Sequence, residues 1–297
     1  MKFLIVIPAH NEESNIAFCL QSIQNQNFSN FVCVIVNDGS TDKTGEIAEN
    51  FQHQFSNFRY LNLEKSAHEP GAKVVKTFNQ GLESVDWKGF DVICKFDADI
   101  IFPSDYLEKI NQVFEQNPRV GLVSGLVYIK NHQQNPIENP MDFSNKNNEW
   151  IFENLSSKNH VRGPIKAYRK QCFEEMKGLR PILGWDNLDV LLAKMYNWEI
   201  ITIKNIWVKH LRPTAYRYKS QKAEKLGQYF YNIGLNLPLA MISSAKSSFK
   251  NRSVKEFFIT INSFLKQKEP RKLTKQEIKF IRKLRRKFFQ KRILFGR

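Results

Sequence analysis

Four short apolar runs, each followed by a stretch of helical spacing, constrain this chain more than any other feature. Phe3 to Ile7, Phe31 to Val36, Tyr60 to Leu63 and Val92 to Phe96 read as strands. After the first come Ile16, Leu20 and Ile23; after the second, Thr44, Ile47, Ala48, Phe51 and Phe55; after the third, Val75, Phe78 and Leu82. Leu107, Ile110 and Phe114 repeat the spacing after the fourth, in a helix from about Ser104. Continuous rather than alternating apolar runs suit strands covered on both faces. The βαβ rhythm therefore predicts an α/β fold, a mostly parallel sheet with right-handed crossovers and helices on its flanks.

With 297 residues and 24 phenylalanines the chain can bury one large α/β domain and an appendage. Order is expected to resume after 160 with a strand over Gly163–Tyr168, a helix near Leu188–Met195, and strands near Glu199–Ile203 and Trp207–Leu211. Residues 130–160, rich in Asn and carrying Pro136 and Pro140, read as a long loop over the site. The apolar start is too short for a leader and runs straight into Pro8-Ala9-His10-Asn11-Glu12, so it reads as a first strand. Cys19, Cys33, Cys94 and Cys172 lack metal-ligand spacing and read as thiols in a reducing cytoplasm. No stretch approaches the length of a membrane span.

The fourth run leads directly into Asp97-Ala98-Asp99. Two carboxylates one residue apart, at the carboxyl end of a buried strand, offer oxygen ligands to Mg2+ or Mn2+ and leave positions for phosphate oxygens. Pro8 to Glu12 follows the first strand and Asn37-Asp38-Gly39-Ser40-Thr41-Asp42 the second. In a doubly wound sheet these three turns share one crevice. Asp38 could accept a base N–H there, and Ser40, Thr41 or Asp42 could cap the next helix. The same Asp-Gly-Ser-Thr-Asp run is also compatible with a plain capped turn.

Taken together, Val6 to Glu13, Val34 to Asp42, Gly71-Ala72-Lys73 with Asn79-Gln80-Gly81, and Phe96 to Asp99 resemble the motifs of family 2 glycosyltransferases of the GT-A fold. The resemblance covers about residues 1–215, with a nucleotide-sugar half over 1–130 and an acceptor half over 131–215. It implies a nucleotide-sugar donor. Pro8, Ala9, His10 and Glu12 would line the nucleotide pocket. Asp38 would meet the nucleobase, and Lys73 the base or phosphates. Asp97 and Ala98 would face the ribose, with Asp97 also in the metal shell. Asp99 would ligate the metal, and His210 matches a late histidine that completes the site. Uridine is the expected base, since Asp38 suits an imide N–H, a group that guanosine also offers.

Attack by an acceptor hydroxyl needs a carboxylate to take its proton. It should lie in Gly184-Trp185-Asp186-Asn187-Leu188-Asp189, where the family often has Glu-Asp and this chain differs. Either Asp186 or Asp189 can serve; Asp186 is favoured because it precedes the helix. Trp185 suits either a sugar face or the core. Tyr168 falls on the acceptor side, and Glu149 and Trp150 are candidates for the acceptor wall. The implied reaction is a single inverting displacement onto a saccharide or lipid-linked saccharide in cell-surface glycan synthesis. A sugar-phosphate nucleotidyltransferase would open with a Gly-rich Arg-Lys phosphate loop, which Pro8 to Glu12 lacks. The altered Glu-Asp pair also leaves room for a catalytically inactive relative.

The charge of +16 sits largely in the tail: residues 271–297 hold twelve Lys/Arg against Glu277 alone. Residues 216–297 read as a helical basic extension. Ile278, Ile281, Leu284 and Phe288 share one helical face within it, which would either lie on an anionic membrane surface or pack on the body. The first option places the protein peripherally on the inner face of the cell membrane. A nucleic-acid partner fits poorly, because the excess charge is not spread over the body and the Phe spacing is that of a helix core.

Overall fold

The computed structural model describes residues 1–64, 69–131, 140–144, 149–212 and 221–295. Within them nine strands join in one mixed sheet flanked by helices. The expected first half is present. β1 (Phe3–Ala9), α1 (Ile16–Gln24), β2 (Phe31–Asp38), α2 (Thr44–Gln54), β3 (Phe58–Leu63), α3 (Ala72–Glu83) and β4 (Val92–Phe96) follow in turn. β1 lies between β2 and β4 and is parallel to both, with Phe3 opposite Phe31 on one side and Val92 on the other. β3 extends the parallel set beyond β2. Leu4, Val6, Val34 and Ile93 face one side of the sheet and pack with α3, while Phe3, Ile5, Cys33 and Cys94 face α1 and α2. Covering both faces explains why these strands carry no polar alternation. All four cysteines are buried free thiols.

The second half is built differently. β5 (Ile100–Ile101) and α4 (Tyr106–Gln116) precede a long β6 (Val120–Lys130), followed by β7 (Trp150–Phe152) and β8 (Ile165–Arg169). β8 runs antiparallel between β4 and β6, and β7 pairs with the end of β6. α5 (Lys170–Glu175) and α6 (Trp185–Met195) lead to β9 (Glu199–His210), parallel to β6. β6 escapes the sequence patterning because Gly121 and Gly125 break its run. Register shifts fall at both glycines, where close neighbours leave little room for a side chain: Cys172 Sγ lies 2.6 Å from a Cβ placed at Gly121, and the Ile206 carbonyl 3.0 Å from one at Gly125. The second shift also explains why the two strands expected over 199–211 are one strand, β9, with an irregularity between them. Pro136 and Pro213 lie outside the described residues. Trp150, expected as acceptor wall, is fully buried beside Leu126, Tyr128 and Trp207.

α7 (Lys222–Asn232), α8 (Leu237–Lys250), α9 (Val254–Lys266) and α10 (Lys275–Phe295) complete the described chain. They share the body's core: Phe230, Ile233, Leu235, Phe264 and Ile281 cluster with Ile93, Tyr168 and Trp185. Thr274 and Glu277 form a reciprocal capping box at the start of α10, and buried Glu277 also pairs with Arg180 at 3.4 Å. Ile281 is 0% exposed, so the centre of α10's apolar stripe is taken up by the protein itself. No helix among the described residues is long and apolar enough to cross a membrane.

Candidate active site

The parallel strands end together and gather the residues singled out in the sequence. One cavity of about 550 Å³ is lined by Pro8, Ala9, His10, Glu12, Asp38, Lys73, Asp97, Ala98 and Asp99, joined by Glu69, Gly71, Val74, Thr77 and Arg212. The turns after β1 and β2 are laced to each other. Asn11, held at φ 53°, receives the Thr41 N–H at 2.9 Å and donates its own N–H to Ser40 Oγ at 3.0 Å. Glu12 N–H donates to Thr44 Oγ1 at 2.7 Å. Ser40 and Thr41 are thus braces between turns, while Asp42 accepts the Thr44 N–H at 3.0 Å beside the start of α2. His10 Nδ1 reaches the Asp38 carbonyl at 2.7 Å. The Asp38 carboxylate accepts from Thr77 Oγ1 at 3.1 Å and pairs with Lys73 at 3.2 Å, both on α3.

His210 reaches the site through pairing that only the sheet supplies. β5 pairs antiparallel with the end of β9, Ile100 opposite His210, which sets the imidazole against Asp99. His210 Nε2 lies 3.5 Å from Asp99 Oδ2 and its Nδ1 3.4 Å from Glu153 Oε2. Burial disfavours the imidazolium, but hydrogen bonds and charge from Asp99 and Glu153 outweigh it and lift His210 to about 9. Burial likewise opposes the Asp99 carboxylate, yet His210 and then Arg212 hold it below the usual carboxylate range. The Arg212 guanidinium lies 3.3 Å from Asp99 Oδ2 and pairs with Glu12. Burial, with the Asp99 charge nearby, pushes the Glu12 carboxyl up.

The donor chemistry fits a hard divalent ion: Asp99 supplies oxygen and His210 nitrogen, with Asp97 two residues before Asp99. Asp97 pairs with the buried Lys95. Among the described residues no group of three or more His, Cys, Asp or Glu side chains is gathered as a metal cage. Such a pair suits an ion that completes its shell with ligand oxygens.

Asp186 and Asp189 separate clearly. The Asp97 N–H donates to the Pro164 carbonyl at 2.9 Å, and a Cβ at Gly163 would lie 3.2 Å from Asp186 Cβ. Residues 163 and 164 therefore hold Asp186 next to the Asp97 turn. Among the described residues nothing donates a hydrogen bond to the Asp186 carboxylate, which is half-buried. Neither Asp186 nor Asp189 lines the cavity itself, and Asp189, one turn further along the helix, is 2% exposed. Lys166 Nζ reaches both its oxygens at 2.7 Å, and Tyr168 donates to Oδ2 at 2.6 Å. Burial pushes Asp189 upward against the pull of Lys166 and Tyr168. Sequence alone offered Asp189 as the alternative base; its position is that of a core ion pair. Tyr168 is tied into the same pair rather than turned to an acceptor. Trp185 is buried, with Lys95 and Lys166 over its ring at 5.1 and 5.5 Å.

The model of the family described as Glycosyl transferase family 2 matches residues 4–176. The chain belongs to glycosyltransferase family 2. The curated relative "Glycosyltransferase GlyA" of Streptococcus pneumoniae serotype 4 is 25% identical over 236 residues, 74% of this chain. The family 2 chain spans 31% of that relative's length. S. aureus TarS 1-349 in complex with UDP-GlcNAc superposes with a TM-score of 0.60 at 18% identity, covering 89% of this chain and 79% of that one. Mannosyltransferase PcManGT from Pyrobaculum calidifontis, in complex with GDP-Man and Mn2+, gives 0.56 at 18%, covering 88% and 68%. These likenesses establish the fold, the GT-A fold.

Sequence reasoning about this family 2 chain missed Arg212, Glu153, Lys95 and Thr77. Arg212 stands two residues after His210 and could have been noticed there. Glu153 had no local signal: it sits in the Asn-rich stretch and matters only because Arg162 holds it at 2.6 Å beside His210. Glu149 lies at the edge of the described residues, half-buried, and does not line the cavity.

Proposed function

We propose that the protein is an inverting, divalent-metal-dependent glycosyltransferase that moves a sugar from a nucleoside-diphosphate donor, first of all a UDP-sugar, to a saccharide or lipid-linked saccharide hydroxyl in cell-surface glycan synthesis. The observation that carries this is the single cavity in which Asp38, Lys73, Glu12, Asp99 and Arg212 meet. Its chemistry suits a whole nucleotide: a carboxylate for a base N–H at Asp38, and cationic and acidic groups for a metal–diphosphate at Arg212 and Asp99, with His210 behind Asp99. TarS with UDP-GlcNAc and PcManGT with GDP-Man and Mn2+ share the fold and support this class of donor.

Asp97, Asp99 and His210 are the residues that would hold Mg2+ or Mn2+. When bound, the ion neutralises charge on the departing diphosphate. Pro8, Ala9 and Ala98 provide the apolar wall beside the nucleoside. Lys73, paired with Asp38 and lining the same cavity, supports a contact to base or phosphate. Asp186 takes the proton of the acceptor hydroxyl as its oxygen bonds to the anomeric carbon and the bond to the diphosphate oxygen breaks. One displacement from the opposite face inverts that carbon. The test is a thermal-shift and turnover screen of UDP- and GDP-sugars with and without Mn2+. Asp99→Asn should abolish the metal-dependent part of the shift. A nucleotide shift of equal size with Mn2+ and with chelator, and in Asp99→Asn, would sink the metal assignment.

A further inference from the structure

The C-terminal helices leave an outer face that the body does not cover. On α8, Met241, Ala245 and Phe249 recur every fourth residue, with Ile242 alongside, and all are exposed. On α9, Val254 and Phe258 are four residues apart, Leu265 lies seven further on, and all three are exposed. Phe249 is 88% exposed, Val254 74% and Phe258 65%, so the hairpin presents several exposed apolar side chains together rather than singly. The two stripes meet at the tip of the α8–α9 hairpin. Ala245, Phe249, Arg252, Val254 and Phe257 line one groove of about 620 Å³ there.

The other side of this hairpin is already engaged. Thr260 and Ser263 hydroxyls donate to the Ala223 and Glu224 carbonyls of α7 at 3.0 and 2.7 Å. Gly227 admits α9 so closely that a Cβ there would lie 2.2 Å from the Thr260 carbonyl. Ser253 caps α9, its hydroxyl accepting from Glu256 N–H at 3.4 Å, and Asn251 holds the Glu256 carboxylate at 2.7 Å. The tip is therefore an ordered corner with its apolar groups turned outward.

Charge decides what covers it. Residues 237–268 carry Lys246, Lys250, Arg252, Lys255, Lys266 and Lys268, and one carboxylate, Glu256, which Asn251 occupies. A symmetric pair of copies would set this basic face against itself. An anionic bilayer complements both halves of the pattern: headgroups take the cations, and the acyl boundary takes Phe249, Val254 and Phe258. We propose that the outer face of the α8–α9 hairpin docks on an anionic phospholipid surface. This moves membrane contact away from the apolar stripe of α10, whose Ile281 is spent on the core. It leaves α10's outer lysines as an auxiliary basic surface, joined to the hairpin where Lys246 sits 5.3 Å over the Phe288 ring. The proposal is independent of the donor and acceptor assigned above.

The experiment is flotation of the full chain with vesicles of phosphatidylcholine alone, or with about a third phosphatidylglycerol. The protein should float with the anionic vesicles, and less so as salt is raised. F249S/F258S should lower the partition about tenfold or more with its circular dichroism and melting temperature unchanged, since both side chains are exposed. K250E/R252E/K255E should remove the preference for anionic lipid. Equal flotation with both vesicle types, or flotation unchanged in F249S/F258S, would overturn the assignment. So would release only by K279E/K283E/K287E on α10. An absence of flotation together with a dimer that F249S/F258S dissolves in sedimentation would show a protein interface instead.

Discussion

Asp189→Asn and Asp186→Asn should fail in opposite ways. Lys166 is 0% exposed, and the Asp189 carboxylate is the only acidic side chain paired with it among the described residues. Asp189→Asn leaves an ammonium in the core with no countercharge, and turns an amide nitrogen toward Lys166, the Tyr168 hydroxyl or the Val190 N–H, all of them donors. Breaking one side of a buried pair costs about 3–5 kcal/mol. That lowers the folded-to-unfolded ratio by a hundred- to several-thousandfold and shifts a urea midpoint by about 1 M or more. Asp186→Asn removes a half-buried carboxylate that accepts no hydrogen bond among the described residues, so stability should stay within about 0.5 kcal/mol while turnover falls about 10²–10⁴-fold. Paired removal sharpens the contrast: Lys166→Met with Asp189→Leu should cost less than Asp189→Asn alone, because no charge is stranded. Urea titration followed by tryptophan fluorescence, beside sugar transfer at a temperature where each variant is folded, measures both quantities. A stable Asp189→Asn that has lost turnover, with Asp186→Asn active, would refute the reasoning.

Two further outcomes follow from packing and charge. Gly227→Ala should destabilise by about 1–3 kcal/mol, because the new methyl meets the backbone of Thr260 and Phe264 on α9 rather than a movable side chain; a melting temperature equal to that of the parent would contradict the close approach of α7 and α9. His210 gives a pH signature. Its folded pKa of about 9 stands above the unfolded value near 6.5, so its contribution is complete below about pH 6.5 and disappears as pH rises through about 9, with a ceiling of about 3 kcal/mol. Urea midpoints in chelator should fall across that window, and the fall should be shallower in His210→Gln.

The nucleotide half was legible from sequence because its signals are local. A buried parallel strand must be apolar throughout, its crossover helix must repeat every three to four residues, and the turn between them must carry the polar groups. Pro8, Ala9, His10, Glu12, Asp38, Lys73 and Asp97 to Asp99 could be assembled from those rules, and all of them line one cavity. The acceptor half resisted the same treatment. Glycines interrupt β6, β8 enters antiparallel between strands far away in the chain, and Asp186 and Asp189 look alike in a string of letters.

Local sequence thus determined which segments are strands and helices, and which turns are rich in chemistry. Tertiary structure alone decided that His210 meets Asp99, that Arg212 closes on Glu12, that Asp189 is spent on Lys166, and that α10 turns the centre of its apolar stripe, Ile281, inward. Each of these joins residues more than twenty positions apart, or depends on which face of a helix finds a neighbour. Periodicity tells a helix that it has an apolar side; only the packed whole settles whether protein or something else will cover it.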